Sequence, residues 1–202
     1  MTTESLPDYP AAVLAAARAA ELAGRLPAPT AEVLGDVFPY EADLTVVPLE
    51  PPVLPEPDRA DLTAESCGSC RRQDSDFLWT SEHFRLAGIT SRMRLGVHGF
   101  MLWTRQHGDL TELAEPAVAE LGPVLVAVER AITEAIDGVG RVHLIRWGDG
   151  SAHLHWWFLA RPVGLLQLRG TGLTGWLDVL PPLPDEVAAA GAAAVADRLA
   201  AG

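Results

Sequence analysis

The chain contains two cysteines, and they stand together as Cys67-Gly68-Ser69-Cys70. At this spacing two thiolates can share one metal ion or act as a redox pair. A thioredoxin-like redox pair belongs in the strand-to-helix turn of a βαβ unit, and no such unit is visible around Cys67. With the nitrogens of His107 and His153, Cys67 and Cys70 supply the two sulfurs and two nitrogens of a closed tetrahedral zinc site. His153 also opens the run His153-Leu154-His155-Trp156-Trp157-Phe158-Leu159-Ala160-Arg161. In a strand, side chains alternate, so His153, His155, Trp157, Leu159 and Arg161 share one face, while Leu154, Trp156, Phe158 and Ala160 form a core face. The two histidines then lie roughly 6.5–7 Å apart, far enough for one to hold a metal while the other faces a ligand.

Several elements must bring these residues together. Phe77 to Trp79, Phe84 to Ile89 and Gly99 to Trp103 are rich in aromatic or branched residues and read as strands. Asp109 precedes Glu112 by three, a capping-box pattern that predicts a helix, and Leu121, Val124, Leu125, Val128 and Ile132 continue at helical spacing. Pro116 and Gly122-Pro123 should bend or split that helix. Arg141 to Trp147 predicts a fourth strand, joined through Gly148-Asp149-Gly150-Ser151 to a fifth from Ala152 to Arg161. Leu165 to Leu180 shows no clear pattern, and Asp185 to Ala200 is an Ala-rich helix. Upstream, Pro10 to Leu26 and Thr30 to Val37 read as helices, and five prolines between Pro48 and Pro57 predict an extended boundary. The expected organisation is a helical and Pro-rich extension over 1–60, a domain over 61–180 and a C-terminal helix over 181–202.

The 202 residues suffice to bury a core without disulfides. A formal charge of −12 repels nucleic acid phosphates, and no basic run offsets it, so no nucleic acid partner is expected; a small phosphorylated ligand can still be held against that field by a few local arginines or a set of backbone N–H groups. No apolar run approaches the ~20 residues of a membrane span, and the acidic, polar start does not read as a secretory signal. A cytoplasmic setting, with no membrane partner, is expected.

The order Cys-x-x-Cys, strands, Gly99-Phe100-Met101-Leu102-Trp103, Arg105-Gln106-His107, helix, then His153-Leu154-His155 and Arg161 resembles the histidine-triad superfamily over roughly Ser66 to Pro162. The resemblance implies an α+β fold with an antiparallel sheet of about five strands, helices on one face, and a homodimer formed through the helix and sheet edge. In zinc-containing members, and in the related galactose phosphate uridylyltransferases, the two cysteines, the histidine before the helix and the first triad histidine bind zinc. Here these are Cys67, Cys70, His107 and His153, implying a structural Zn²⁺. The middle histidine of the family attacks the α-phosphorus of a nucleotide, and that position is His155. A second register would make Ser151, His153 and His155 the triad. It places Arg161 two residues late and removes the metal ligand expected before the nucleophile, so the first register is favoured.

Trp157 then fills the third triad position, where the hydrolases carry histidine and the uridylyltransferases glutamine. An indole has one N–H donor and no titratable group, so it can touch a phosphate, stack on a base or simply pack, but not carry a proton. Asp149 stands where a glutamine commonly meets phosphate, while Gly148, Gly150 and Ser151 offer N–H groups and a hydroxyl for an anion. Arg146 and Arg161 are the nearest cations to neutralise a phosphate. The favoured expectation is a nucleotide hydrolase or nucleotidyltransferase working through a nucleotidyl-His155. The alternatives are a non-catalytic nucleotide-binding or sensing domain and a structural zinc domain mediating protein contacts.

Overall fold

The computed structural model describes residues 18–21, 23–25, 48, 51–89, 95–177 and 180–202. The chain divides into two compact units, Met1–Pro57 and Asp58–Gly202. In the first, residues 18–20 are helical and 51–57 run exposed without helix or strand. The helix expected over Pro10 to Leu26 does not extend through 23–25, where Ala23 and Gly24 form a turn with positive φ; its remaining residues, and those of Thr30 to Val37, fall outside the described residues.

In the second unit β1 (Trp79–Thr80), β2 (Phe84–Gly88), β3 (His98–Thr104), β4 (Val139–Ile145) and β5 (His155–Pro162) form one sheet in the order β1-β2-β3-β5-β4, every pair antiparallel. The helices are α1 (Glu115–Ala135), α2 (Gly172–Leu177) and α3 (Asp185–Ala200). The α+β architecture with a five-stranded antiparallel sheet is the expected one. Among the described residues no helix is long and apolar enough to cross a membrane.

One sheet face is the main core. Phe84, Leu86, Phe100, Leu102, Trp156 and Phe158 pack there under Val124, Val128 and Ile132 of α1 and Val195 of α3. Each such side chain contributes about 1.5–3 kcal/mol of hydrophobic stabilisation. The opposite face of β5 is covered as well. Leu159 is fully buried beneath Leu168 and Leu173, which belong to the 3-10 turn Leu166–Leu168 and to α2. The segment without a sequence pattern thus closes the second face, so the helices are not all on one side.

Two local differences have plain causes. The Asp109–Glu112 capping box closes a single 3-10 turn, Leu110–Glu112, rather than the long helix. The helix starts afresh at Glu115 with Pro116 in its first turn, where a missing N–H is harmless. Pro123 lies inside α1 without splitting it. It sits on the exposed side, where water can satisfy the carbonyl it leaves unpaired. The second difference is that β5 begins at His155, not Ala152, because residues 152–154 bond elsewhere. Ala152 N–H donates to the Ala60 carbonyl and Leu154 N–H to that of Gly108, at 2.9 and 3.0 Å.

Candidate metal centre and nucleophile

The Cys67-x-x-Cys70 turn, the loop after β3 and the approach to β5 converge at one end of the sheet. One ligand atom from each of Cys67, Cys70, His107 and His153 lies within 4.8 Å of all the others. Nδ1 of His153 is 3.2 Å from Sγ of Cys67 and 3.5 Å from Sγ of Cys70, and Nδ1 of His107 is 3.5 Å from Sγ of Cys70. Zinc–sulfur and zinc–nitrogen bonds of ~2.3 and ~2.0 Å at tetrahedral angles hold sulfur and nitrogen about 3.5 Å apart. The four donors therefore fit a tetrahedral zinc ion in both type and separation.

Second contacts fix which nitrogen of each ring is free. The Nε2–H of His153 donates to the Thr104 carbonyl at 2.7 Å, leaving the Nδ1 lone pair turned to the sulfurs. His107 does the same more loosely, through Nε2–H to the Leu62 carbonyl at 3.4 Å. A backbone carbonyl behind a ligating imidazole fixes its tautomer and raises its basicity. Burial, opposed in part by the Thr104 bond, holds His153 below the usual imidazole range, which favours the neutral form a metal needs. Burial, and next the neighbouring Cys67, push the Cys70 thiol up to about 11. A coordinated divalent cation reverses this, since it deprotonates a thiol outright.

His155 is buried but outside the donor set. Its Nδ1–H donates to the His153 carbonyl at 2.9 Å, so Nε2 carries the free lone pair. Trp103, its partner across β3 and β5, lays its ring against this imidazole with centroids 4.5 Å apart and planes at 30°. Trp157 meets His155 edge-on at 6.3 Å and meets Trp147 at 5.6 Å. Its indole Nε1 is buried without a hydrogen-bond partner among the described residues, and its ring packs against the Leu159 cluster.

The loop before β5 is held by a segment that sequence reasoning did not single out. Ala60 N–H donates to the Gly150 carbonyl at 3.1 Å, and Ser151 Oγ donates to Asp61 at 3.0 Å while accepting from His153 N–H at 3.2 Å. Arg59 donates at 2.9 Å both to the Gly148 carbonyl and to Asp109. Arg146 also bonds Asp109, whose carboxyl is held below the usual range by the Leu110 N–H first and Arg59 next. Gly150 and Asp149 are exposed. Arg161 is not brought to His155. Six residues further along β5, roughly 20 Å away, it bonds the Pro162 carbonyl at 3.0 Å. His83, His98 and His143 also lie outside the metal cluster.

No family model and no curated protein matches the chain. Among solved structures it is similar to a Zn-bound histidine triad family protein from Mycobacterium smegmatis, at 18% identity over 69% of this chain and 99% of that one, with a TM-score of 0.48. A histidine triad protein from Marinobacter aquaeolei shares 19% identity over 63% of this chain and 91% of its own, with a TM-score of 0.49. A hypothetical histidine triad nucleotide-binding protein from Sulfolobus tokodaii shares 18% over 62% and 84%, with a TM-score of 0.45. These neighbours are histidine-triad proteins.

Proposed function

We propose that this chain is a zinc-binding nucleotide hydrolase or nucleotidyltransferase of the histidine-triad type, with His155 as the nucleophile toward a nucleotide α-phosphorus. The observation that carries the reading is the bond from His155 Nδ1–H to the His153 carbonyl, which commits the ring to the tautomer with an unprotonated Nε2. An imidazole so oriented attacks without first losing a proton. The Nε2–P bond forms as the bond from phosphorus to the leaving group breaks. The leaving group takes its proton from water, because the indole of Trp157 has none to give. Water or a second substrate then attacks phosphorus, the Nε2–P bond breaks, and the neutral imidazole returns.

Cys67, Cys70, His107 and His153 would hold a structural Zn²⁺ that fixes the start of β5 and hence the carbonyl to which His155 is tied. Ser151 and the N–H groups of half-buried Gly148 and exposed Gly150 are the candidate phosphate contacts, with Trp157 as a wall. Arg146 would contribute charge only by sharing Asp109 with Arg59. Arg161 acts as a brace of the strand. The same reading includes a reducing, cytoplasmic setting and a homodimer through the long helix and a sheet edge, with small nucleotides rather than polynucleotides as ligands.

A second reading, a non-catalytic nucleotide-binding domain, is favoured by one observation. The third triad position is a packed tryptophan whose N–H is buried. Radiolabelled adenosine and guanosine 5′-phosphoramidates separate the two. Acid-labile label retained on wild type and absent from His155→Ala supports the nucleophile. Ligand-induced thermal stabilisation without label on the wild type supports binding alone.

A further inference from the structure

The sheet register sets Trp103 directly between two residues of unlike character, Arg85 on β2 and His155 on β5. With a partner strand on each side, Trp103 has little freedom to move. Its indole touches both imidazoles of the site in different ways. It lies nearly face-on to His155 at 4.5 Å and 30°, and edge-on to His153 at 5.4 Å and 82°. Trp157 reaches His155 only at 6.3 Å and 61°, so the π face available to the nucleophile is that of Trp103.

We propose that Trp103 is the positioning residue of His155, fixing its ring plane and stabilising the positive charge the ring carries while it is covalently loaded. The inference rests on the nucleotidyl-transfer reading. In the loaded ring Nε2 is bonded to phosphorus and Nδ1 keeps its proton against the His153 carbonyl, so the imidazole is a cation. An indole face attracts a cation through its quadrupole and a neutral ring far less. The contact therefore strengthens as the Nε2–P bond forms, and an interaction stronger in the transition state than in the free enzyme accelerates the step. The His153 carbonyl supplies the same preference from the other side, through a hydrogen bond that becomes charge-assisted. The ring is thereby prepared for a charge that no acid at position 157 would relieve.

The test compares Trp103→Phe and Trp103→Leu with wild type. The readouts are the single-turnover rate of label transfer from adenosine 5′-phosphoramidate, kcat and KM, zinc content and melting temperature. Label transfer and kcat should fall about 3- to 30-fold in Trp103→Leu, with KM and zinc unchanged. Trp103→Phe should recover part of the loss, because a benzene face has a weaker quadrupole than indole. Equal rates in wild type and Trp103→Leu, no recovery with Phe, or a loss that tracks zinc content would each overturn the proposal. A wild type that takes no label sinks the nucleotidyl-transfer reading and this inference with it. A wild type that loads normally beside an equally active Trp103→Leu sinks this inference alone.

Discussion

Nδ1 of His153 stands 3.2 Å from Sγ of Cys67, although 86 residues separate them in the chain. Two ligand-type atoms at that separation, both buried, are held by the convergence of the Cys loop and the segment leading into β5.

If zinc completes this centre, the protein as purified carries about one zinc per chain. Cys67→Ser removes a ligand and leaves a fully buried hydroxyl in its place. Structural zinc contributes on the order of 10 kcal/mol in small domains, so a loss of about 3 kcal/mol or more is expected, lowering the melting temperature by roughly 6–12 °C. Elemental analysis and thermal unfolding check it. A metal-free wild type with an unchanged melting temperature defeats the assignment.

His153→Ala and His155→Ala should fail differently, although the two residues are neighbours in the chain and both buried. His155→Ala should keep zinc and fold and lose nucleotidyl transfer by at least ~10³-fold. His153→Ala should lose zinc and stability first, with activity falling as a consequence. Were His155→Ala to shed the metal while His153→Ala kept it, the triad register would be wrong.

Trp157→His restores a proton-carrying group beside the nucleophile. Hydrolysis should rise most for poor leaving groups, within the ~10²–10⁴-fold that general acid catalysis supplies. Rates across a series of nucleoside phosphoramidates and phosphoesters of graded leaving-group basicity measure it. A rise of equal size for good and poor leaving groups would point to altered packing against the Leu159 cluster instead.

His98 gives a pH dependence remote from the candidate metal centre. Burial pushes its imidazole below the ordinary value of 6.5, and its ring lies against Gly191 of α3. The unfolded chain then binds more protons than the folded one. The stability from this group is present above about pH 6.5 and is lost as pH falls toward the lower folded value. His98→Gln should flatten the difference in urea unfolding free energy between about pH 7.5 and about pH 5.5. An unchanged slope would assign the pH dependence to other groups.

The chemistry of the site was legible as residue types and spacing. Cys67-x-x-Cys70 and the histidines offer the donor types of a zinc site, and the family resemblance singles out His107 and His153 among the six histidines. The period-two pattern from Leu154 to Ala160 marks a core face, and the Ala-rich stretch marks α3 as Asp185–Ala200. Both follow from local geometry, in which each side chain's direction is fixed by its place in the repeat. Other features depend on pairs of residues far apart. No pattern within 165–177 announces that Leu168 and Leu173 cover Leu159. Nothing in the segment 59–61 shows that it clasps the loop before β5. Arg161 looks close to His155 in sequence, yet a strand's rise carries it to the far end of the sheet. The tautomer of His153 depends on the Thr104 carbonyl 49 residues away, and the ring plane of His155 depends on the β3–β5 register that sets Trp103 against it. A sequence specifies which atoms can donate and accept. The direction in which an imidazole presents its lone pair is decided by the carbonyl that packing places behind its other nitrogen.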